Sequence, residues 1–354
     1  MSDPEDRAYF GIRNDLADRL LKGSHQLAGV PEGDRGAVLR AALDAVPEAA
    51  GLLRPFPVLF ADGESSASRL AFSCLSAAAT FPLARRDQIA ELGALTAILF
   101  GLDDIADGIA GDWSDRDFTA FIARLCAMTT GMPFAAAPEP AAEGPIEQVL
   151  GAWQAWCARF HGHTGAAVHA PTLGRRLELA GAAMLRERAW AAGRAPWPEY
   201  ADYLANGLLT ILYPTWWAAA LAIRGPVPAE AAHWASIEPA THLGAACMRL
   251  ANDIRTFERE KAEGKPNSIS ILENAGTGTA RAVTRVSAHI GELDAEFRAA
   301  LAGLPAELAE IAEGQRRSVS FNGRWYLARD THAYTVHELA GDLESHEGQV
   351  RRAR

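Results

Sequence analysis

Residues 99–108 have the sequence LFGLDDIADG, in which an apolar run passes directly into three aspartates within five positions. The apolar run is typical of the end of a buried helix, and at 3.6 residues per turn Asp103 and Asp107 share one helix face. Two carboxylates this close repel each other unless a cation lies beside them. Hard oxygen ligands of this kind, completed by water and phosphate oxygens, favour Mg²⁺. A solvated helix end has the same pattern, so this stretch alone leaves both interpretations open.

The composition excludes several classes of protein. The 354 residues are 49% hydrophobic and carry a formal net charge of −10, which argues against nucleic-acid binding because such proteins carry a basic face. Four widely separated cysteines without a CxxC pair are typical of a reducing compartment. No apolar run reaches about 18 residues, and the acidic N-terminus does not resemble a signal peptide. We therefore predict a cytoplasmic protein without a membrane span.

The remaining sequence has the pattern of helices. Ala, Leu and Arg dominate, and β-branched runs bounded by turn residues are scarce. We predict an all-α fold, with one helical domain over 36–345 after a flexible N-terminal arm over 1–35. The Pro- and Ala-rich stretch 131–145 is interpreted as a surface loop of this domain. The predicted helices are 36–48, 66–80, 85–107, 115–129, 145–166, 172–193, 198–224, 229–259, 277–302, 305–320 and 331–348.

A second polar pattern lies in residues 249–260, with the sequence RLANDIRTFERE. Asn252, Thr256 and Glu260 recur every four residues, so an amide, a hydroxyl and a carboxylate oxygen lie on one helix stripe. These three oxygens can hold one hard cation, which leaves its other positions to water and substrate oxygens. Arg249 and Arg259 flank the stripe, and guanidinium groups bind phosphate in a bidentate fork. An exposed helix face with charge pairs is the alternative.

Together the two patterns resemble the paired metal-binding motifs of class I terpene synthases. Residues 103–107 resemble the aspartate-rich motif, and residues 252–260 resemble the motif (N/D)Dxx(S/T)xxxE in order and spacing. The resemblance covers roughly residues 85–335 and implies a helical bundle with a central active-site cavity that binds three Mg²⁺ ions and a prenyl diphosphate. The metal ligands that it implies are Asp103 and Asp107 for two ions and Asn252, Thr256 and Glu260 for the third, with Asp104 and Asp253 beside the metals. The diphosphate contacts that it implies are Arg249, Arg259 and Arg324.

Two stretches further resemble plant kaurene-type diterpene synthases. They are 252–270, which contains the EGKxNS pattern, and 203–226, which resembles the broken active-site helix of those enzymes. No arginine lies between Asp202 and Pro214, where bacterial sesquiterpene synthases carry a diphosphate-sensing arginine. Their C-terminal Arg-Tyr pair is also missing, although Arg-Trp-Tyr at 324–326 and His-Ala-Tyr at 332–334 lie in its neighbourhood.

These departures favour a bicyclic labdane-type diphosphate as substrate, with ent-copalyl diphosphate as the best candidate. The product would then have a kaurane, atisane or pimarane skeleton. A synthase that cyclises linear geranylgeranyl or farnesyl diphosphate directly is the alternative enzyme, and a non-catalytic helical scaffold is the alternative of another class. Members of the family often form homodimers, so a homodimer is one expectation for this chain.

The carbocation formed in such a reaction must be kept away from water, in an apolar cavity lined by aromatic rings. Pro214 lacks a backbone N–H, and we expect it to free carbonyl groups in its preceding turn. Core packing is the alternative role for each single aromatic residue. The candidates for the cavity are Phe100, Tyr213, Pro214, Thr215, Trp216, Trp217 and Trp325.

Overall fold

The computed structural model describes residues 27, 29–57, 65–108, 111, 113–131, 144–328 and 334–353. Helices are the only regular elements in these ranges, which confirms the predicted all-α fold. No helix in the described ranges is both long and apolar enough to cross a membrane. The predicted N-terminal arm and the predicted loop at 131–145 lie largely outside the described residues.

Most observed helices overlap the predicted ones, but the helix predicted at 145–166 ends at Phe160, the one predicted at 305–320 runs on to Ala328, and further differences lie around residues 211 and 268. Short 3₁₀ helices, Glu32–Asp34 and Ala306–Leu308, precede α1 and α12. The α-helices are α1 (Arg35–Leu53), α2 (Ser65–Thr80), α3 (Arg86–Ala106), α4 (Asp115–Thr129), α5 (Pro145–Phe160), α6 (Ala166–Ala191), α7 (Tyr200–Thr210), α8 (Tyr213–Arg224), α9 (Ala231–Ala262), α10 (Ser268–Asn274), α11 (Thr279–Ala302), α12 (Ala309–Ala328) and α13 (Val336–Ala353).

Helix α3 carries the first acidic pattern at its C-terminal end. Its start is capped by the Gln88 side chain, which accepts the backbone N–H of Arg85 at 3.3 Å. Almost every position from Gln88 to Leu102 is buried, as expected for an internal helix. The helix ends at Ala106, and Gly108 follows with φ +75°, a left-handed conformation that glycine adopts without strain. The aspartates therefore lie at the end of a buried helix.

The contacts divide the chain into two compact units, each built from separated segments. The first unit contains residues 30–178, 216–234 and 330–354. In it α1, α2 and α3 pack against one another, and α13 packs on α1. Gly93 of α3 lies so close to α2 that a Cβ atom there would come within 2.8 Å of the Cys74 Sγ atom. The Trp153 and Trp156 rings of α5, 5.1 Å apart, fill the interior of this unit.

The described part of the second unit contains residues 27, 29, 179–215 and 235–328. Its core joins three helices through Leu250, Ile254 and Phe257 of α9, Ile269 of α10 and Val283 of α11. At 100° per residue, Leu250 and Ile254 lie about 120–160° around α9 from Asn252 and Thr256, the first two positions of the stripe. The second polar pattern is therefore carried by a helix whose other side is fixed in the core. The single domain predicted over 36–345 stays a prediction.

The predicted helix 198–224 is interrupted, but two residues earlier than expected. Helix α7 ends at Thr210, α8 begins at Tyr213, and Leu212 between them has φ +57°. A left-handed conformation costs a residue with a Cβ atom about 1–2 kcal/mol. Pro214 is the second residue of α8, where a backbone N–H has no helical acceptor in any case. The chain therefore leaves the helical conformation at Leu212, whereas Pro214, which was expected to free carbonyl groups in its preceding turn, lies within the first turn of α8.

One histidine in the first unit is buried without a hydrogen-bond partner in the described part of the chain. The His169 side chain of α6 is 1% exposed, and neither ring nitrogen has a partner among the described residues. Burial lowers the pKa of His169 from 6.5 to about 4, and the nearby His233 lowers it further. The ring is therefore neutral at pH 7.

We expect this ring to make the stability of the fold depend on pH. The unfolded chain binds the proton near pH 6.5 and the folded chain only near pH 4, so the free energy of unfolding falls as pH is lowered through this window. Between about pH 6.5 and 4.5 the loss is about 2 kcal/mol. Urea denaturation at both pH values should show this loss reduced in His169→Leu and unchanged in the exposed control His161→Leu. An unchanged loss in His169→Leu would contradict the assignment.

Candidate functional site

The first acidic pattern places two aspartates at the end of α3. Asp103 lies in the last turn, and Asp107 ends the helix with its backbone N–H donating to the Asp103 carbonyl oxygen at 2.8 Å. Both residues are exposed. The C-terminal end of a helix carries partial negative charge, so carboxylates there are unfavourable unless a cation compensates them. This end of α3 is therefore suited to a bound cation.

The middle aspartate of this pattern already has a cationic partner. Arg69 of α2 binds the Asp104 carboxylate with both terminal nitrogens, at N–O distances of 2.5 and 3.1 Å. The same guanidinium lies over the Phe100 ring, 5.8 Å from its centroid. Asp104 is thus oriented by an ion pair, and Arg69 is a residue that the sequence analysis did not identify.

The second polar pattern forms a stripe of oxygen atoms on α9. The Thr256 hydroxyl donates to the Asn252 backbone carbonyl at 2.9 Å, as is common in helices. The Asn252 side chain has no hydrogen-bond partner in the part of the chain that the structure describes. The Glu260 carboxylate accepts a hydrogen bond from the Asn267 amide at 2.8 Å. Burial raises the pKa of Glu260, whereas the positive charge of Arg249 and the hydrogen bond from Asn267 lower it.

A buried ion pair fixes this part of α9. The Asp253 side chain is 0% exposed, and its carboxylate lies 3.0 Å from Nε of Arg249. It also accepts hydrogen bonds from the Tyr203 hydroxyl at 2.9 Å and the Ser268 backbone N–H at 3.2 Å. Burial raises the pKa of Asp253, whereas Arg249 and these donors lower it. Asp253 is therefore held inside the protein, one position after Asn252.

Tyr203 of α7 links the two members of this ion pair. Its hydroxyl oxygen accepts hydrogen bonds from Nε and Nη2 of Arg249, at 3.0 and 2.5 Å. The same hydroxyl donates a hydrogen bond to the Asp253 carboxylate. Burial raises the pKa of Tyr203 well above 10, so the hydroxyl stays protonated and can donate its hydrogen bond to Asp253. Gly207, one turn along α7, makes room for the pair, because a Cβ there would lie 2.9 Å from Arg249 Cγ. Tyr203 is the first residue of the stretch 203–226, and no individual role was predicted for it.

The start of α10 is joined to the same cluster by Asn267. This buried residue caps α10 by accepting the Ile269 backbone N–H at 2.9 Å. Its amide nitrogen donates to the Asp253 carbonyl oxygen at 2.9 Å and to the Glu260 carboxylate. Asn267 therefore sets the position of Glu260 relative to Asp253. It lies in the EGKxNS pattern, whose turn contains Gly264 with φ +69°.

The predicted diphosphate contacts occupy different surroundings. Arg249 is mostly buried and bonded to Tyr203 and Asp253. Arg259 is exposed on α9 and lies 3.9 Å from Glu263, away from the buried pair. Arg324 of α12 is half-buried, and its pKa is lowered by burial and by a neighbouring arginine. Their contact with diphosphate stays a prediction.

Most of the predicted cavity residues lie in cores. Trp216 donates to the Thr96 hydroxyl at 3.0 Å, and its ring centroid lies 5.2 Å from that of Trp217. The Trp325 ring lies 5.5 Å from that of Phe321. Tyr213, Pro214, Thr215, Trp216, Trp217 and Trp325 are all buried, whereas Phe100 is partly exposed. The structure thus shows their packing, and their contact with a substrate stays a prediction.

The residues near the missing C-terminal Arg-Tyr pair are only partly described. His332 and Ala333 lie outside the described residues. The Tyr334 hydroxyl donates to the Asp342 carboxylate at 2.6 Å, which ties the start of α13 to its second turn.

The donor atoms of both patterns suit a hard divalent cation. Every side-chain donor is an oxygen, the atom that Mg²⁺ prefers. Within the described ranges, no group of three or more His, Cys, Asp or Glu side chains is arranged to hold a metal ion. Two of the three donors on α9 are Asn252 and Thr256, which such a group would not include. The cation would therefore need substrate or water oxygens to complete its coordination.

Comparison with known proteins gives a family match over the region that carries both patterns. The family described as "Terpene synthase family 2, C-terminal metal binding" matches residues 94–293, more than half of the chain. Among curated proteins, Ent-kaurene synthase-like 3 from Oryza sativa subsp. japonica is 34% identical over 91 residues. This match covers 25% of the chain and 12% of the rice protein, so the chain spans only a small part of that relative.

Solved structures show the same fold at low sequence identity. The linalool/nerolidol synthase from Streptomyces clavuligerus has a TM-score of 0.59 at 18% identity, over 82% of this chain and 96% of that one. Hedycaryol synthase in complex with nerolidol has a TM-score of 0.56 at 19% identity, over 82% of this chain and 93% of that one. The family match decides the assignment, and the fold agrees with it. The chain belongs to the class I terpene synthase family, in the group described as terpene synthase family 2.

Proposed function

We propose that this protein is a metal-dependent class I terpene synthase, a lyase that ionises a prenyl diphosphate, cyclises the resulting carbocation and releases diphosphate. The observation that carries the proposal is the oxygen stripe on α9 beside the buried pair of Asp253 and Arg249. This pair and Asn267 fix the helix and the Glu260 carboxylate before any ligand binds. Preorganised ligands of this kind favour metal binding because little ordering remains to be done.

The proposed metal is Mg²⁺, with three ions. Asp103 and Asp107 would hold two of them, and Asn252, Thr256 and Glu260 would hold the third. When bound, the ions would supply positive charge that makes diphosphate a better leaving group. Asp104 and Asp253 would stay bound to their arginines and orient the metal-binding residues of each pattern.

The arginines would add charge-assisted hydrogen bonds to the diphosphate. Arg249 has its Nε and Nη2 atoms on Tyr203, and its Nη1 atom lies 3.3 Å from the Thr210 hydroxyl and 3.7 Å from Glu187. A diphosphate contact would therefore have to compete with Thr210 and Glu187 for Nη1. Arg259 and Arg324 are proposed as further contacts on the family resemblance alone.

A bicyclic labdane-type diphosphate remains the proposed substrate, with ent-copalyl diphosphate as the best candidate and a kaurane, atisane or pimarane product. The likeness to the rice protein supports it, because that protein is called kaurene synthase-like. Direct cyclisation of linear geranylgeranyl or farnesyl diphosphate is the second candidate. It is supported by the structural neighbours, which are named for linalool, nerolidol and hedycaryol.

The product chemistry would depend on the walls of the proposed cavity. Phe100, Tyr213 and the tryptophans could stabilise positive charge through their ring faces, by about 0.5–2 kcal/mol for each contact. Phe100 already binds a cation in this way, since the Arg69 guanidinium lies over its ring. The homodimer and the cytoplasmic location stay predictions.

The proposed function is tested with the full-length protein, Mg²⁺ and a panel of prenyl diphosphates. We expect release of inorganic diphosphate and a cyclic hydrocarbon, detected by gas chromatography with mass spectrometry, and neither product when EDTA replaces Mg²⁺. Turnover of ent-copalyl diphosphate with little turnover of the linear substrates would support the labdane proposal. Efficient cyclisation of a linear substrate would overturn it in favour of the second candidate. No diphosphate release from any substrate would refute the enzyme activity.

Asn252→Ala should weaken metal binding because it removes one oxygen from the stripe on α9. We expect the Mg²⁺ concentration for half-maximal activity to rise roughly tenfold or more, with an unchanged melting temperature. The matched control is Glu258→Ala, an exposed residue of the same helix outside the stripe. Equal Mg²⁺ dependence in the two variants would contradict the role of Asn252.

Tyr203→Phe should disturb the stripe indirectly, because it removes the hydroxyl that links Arg249 to Asp253. We expect a loss of about 1–2 kcal/mol in the free energy of unfolding and a rise of roughly tenfold in the Mg²⁺ requirement. Tyr200→Phe is the control. Tyr200 lies on the same helix as Tyr203, and its hydroxyl is hydrogen-bonded at 3.0 Å to His289 of α11. A Tyr203→Phe variant that loses stability but keeps the wild-type Mg²⁺ dependence would show a purely structural role.

A further inference from the structure

Arg186 of α6 is held at one nitrogen and has no acidic partner among the residues that the structure describes. Its Nε donates to the Asn206 side-chain oxygen at 2.7 Å. The residue is exposed, and its two terminal nitrogens have no ion pair or hydrogen bond among the described residues. The chain has a net charge of −10, so its carboxylates outnumber its Lys and Arg side chains. A guanidinium that is held in place without a carboxylate among the described residues can bind an external anion.

Asn206 fixes the direction of this guanidinium. Its side chain is 4% exposed, and its amide nitrogen donates to the Ala183 carbonyl oxygen at 3.1 Å and to Glu187 at 3.3 Å. With the amide nitrogen committed to two acceptors, the amide oxygen must face Arg186. The hydrogen bond to Nε leaves both terminal nitrogens of Arg186 available, and such a fork matches two oxygens of a phosphate group.

The Arg186 guanidinium belongs to the same polar network as the oxygen stripe on α9. Glu187 accepts from Asn206 and from the Thr210 hydroxyl at 2.9 Å, and it lies 3.7 Å from Arg249. Arg249 in turn contacts Asp253. Glu187 and Asp253 lie 3.7 and 3.0 Å from Arg249, and no acidic residue in the described ranges forms an ion pair with Arg186. The positive charge of Arg186 therefore remains for a ligand.

We propose that Arg186 binds a phosphate group of the prenyl diphosphate substrate and that Asn206 is its positioning residue. The inference rests on the proposed function and adds a substrate-binding residue from α6 to it. The interaction would be bidentate, from both terminal nitrogens to two phosphate oxygens. It would strengthen binding of the diphosphate group whatever hydrocarbon the substrate carries.

The test measures binding of inorganic diphosphate to the full-length protein with Mg²⁺, by isothermal titration calorimetry. Arg186→Ala should raise the dissociation constant about tenfold to a hundredfold, as expected for losing charge-assisted hydrogen bonds. Arg186→Lys keeps the positive charge but loses the two-pronged guanidinium donor. Its dissociation constant should lie between those of Arg186→Ala and the wild type. Arg175→Ala is the control, because Arg175 is an exposed arginine of α6 paired with Glu178 at 2.5 Å.

Asn206→Ala should lower the affinity for inorganic diphosphate about as much as Arg186→Ala does. The double variant should bind diphosphate no more weakly than either single variant. If Asn206→Ala does not fold, as judged by circular dichroism, the exposed Arg186 variants decide the result. An Arg186→Ala dissociation constant within about twofold of the wild type would overturn the inference. Diphosphate release from a prenyl substrate by the wild type is measured alongside, so that a failure of the proposed function is distinguished from a failure of this inference.

Discussion

The buried pair of Asp253 and Arg249 determines how the second polar pattern is arranged. A carboxylate with no exposed surface is tolerated only with a partner, and removal of one member of such a pair costs about 3–5 kcal/mol. Here the partners come from three helices: Arg249 from α9, Tyr203 from α7 and the backbone of Ser268 at the start of α10. The hydrogen bonds that the buried Asp253 carboxylate requires thus hold α9 next to α7 and next to the loop that carries Asn267.

Both acidic patterns divide their side chains between two tasks. In each, the residue in the second position binds an arginine, with Arg69 on Asp104 and Arg249 on Asp253. An arginine bound to one carboxylate lowers the electrostatic cost of the neighbouring carboxylates without occupying their oxygens. The residues one position earlier and one turn later, Asp103 and Asp107 in the first pattern and Asn252 and Thr256 in the second, are the proposed metal ligands. This division gives a physical reason for adjacent acidic or amide residues in both patterns.

The sequence was sufficient for the all-α fold, for most of the helices and for the family. Periodicity and the Gly and Pro positions located α3 and α9, and the four-residue spacing of Asn252, Thr256 and Glu260 identified the stripe. Helix α10 was missed because seven residues are too few for a periodic signal. The helix break was misplaced because Leu212, a residue with no preference for the left-handed region, adopts φ +57° under tertiary constraints.

The partners of the motif residues could not be predicted, since they lie far away in sequence. Arg69 is 35 positions before Asp104, and Tyr203 is 50 positions before Asp253. Local signals existed for two residues only. Gly207 in the middle of a helix indicates a close approach, here of Arg249, and Asn267 before a short apolar run indicates a helix cap.

The central claim, that these two patterns bind divalent metal, is tested most directly by locating the metal. Crystals grown with Mn²⁺ and inorganic diphosphate would be measured by X-ray diffraction at the manganese absorption edge. We expect anomalous density from manganese ions within coordination distance of the side-chain oxygens of Asn252, Thr256 and Glu260, and of the Asp103 and Asp107 carboxylates. Asp253 should still be bound to Arg249. Manganese bound elsewhere, with none at either pattern, would contradict the claim.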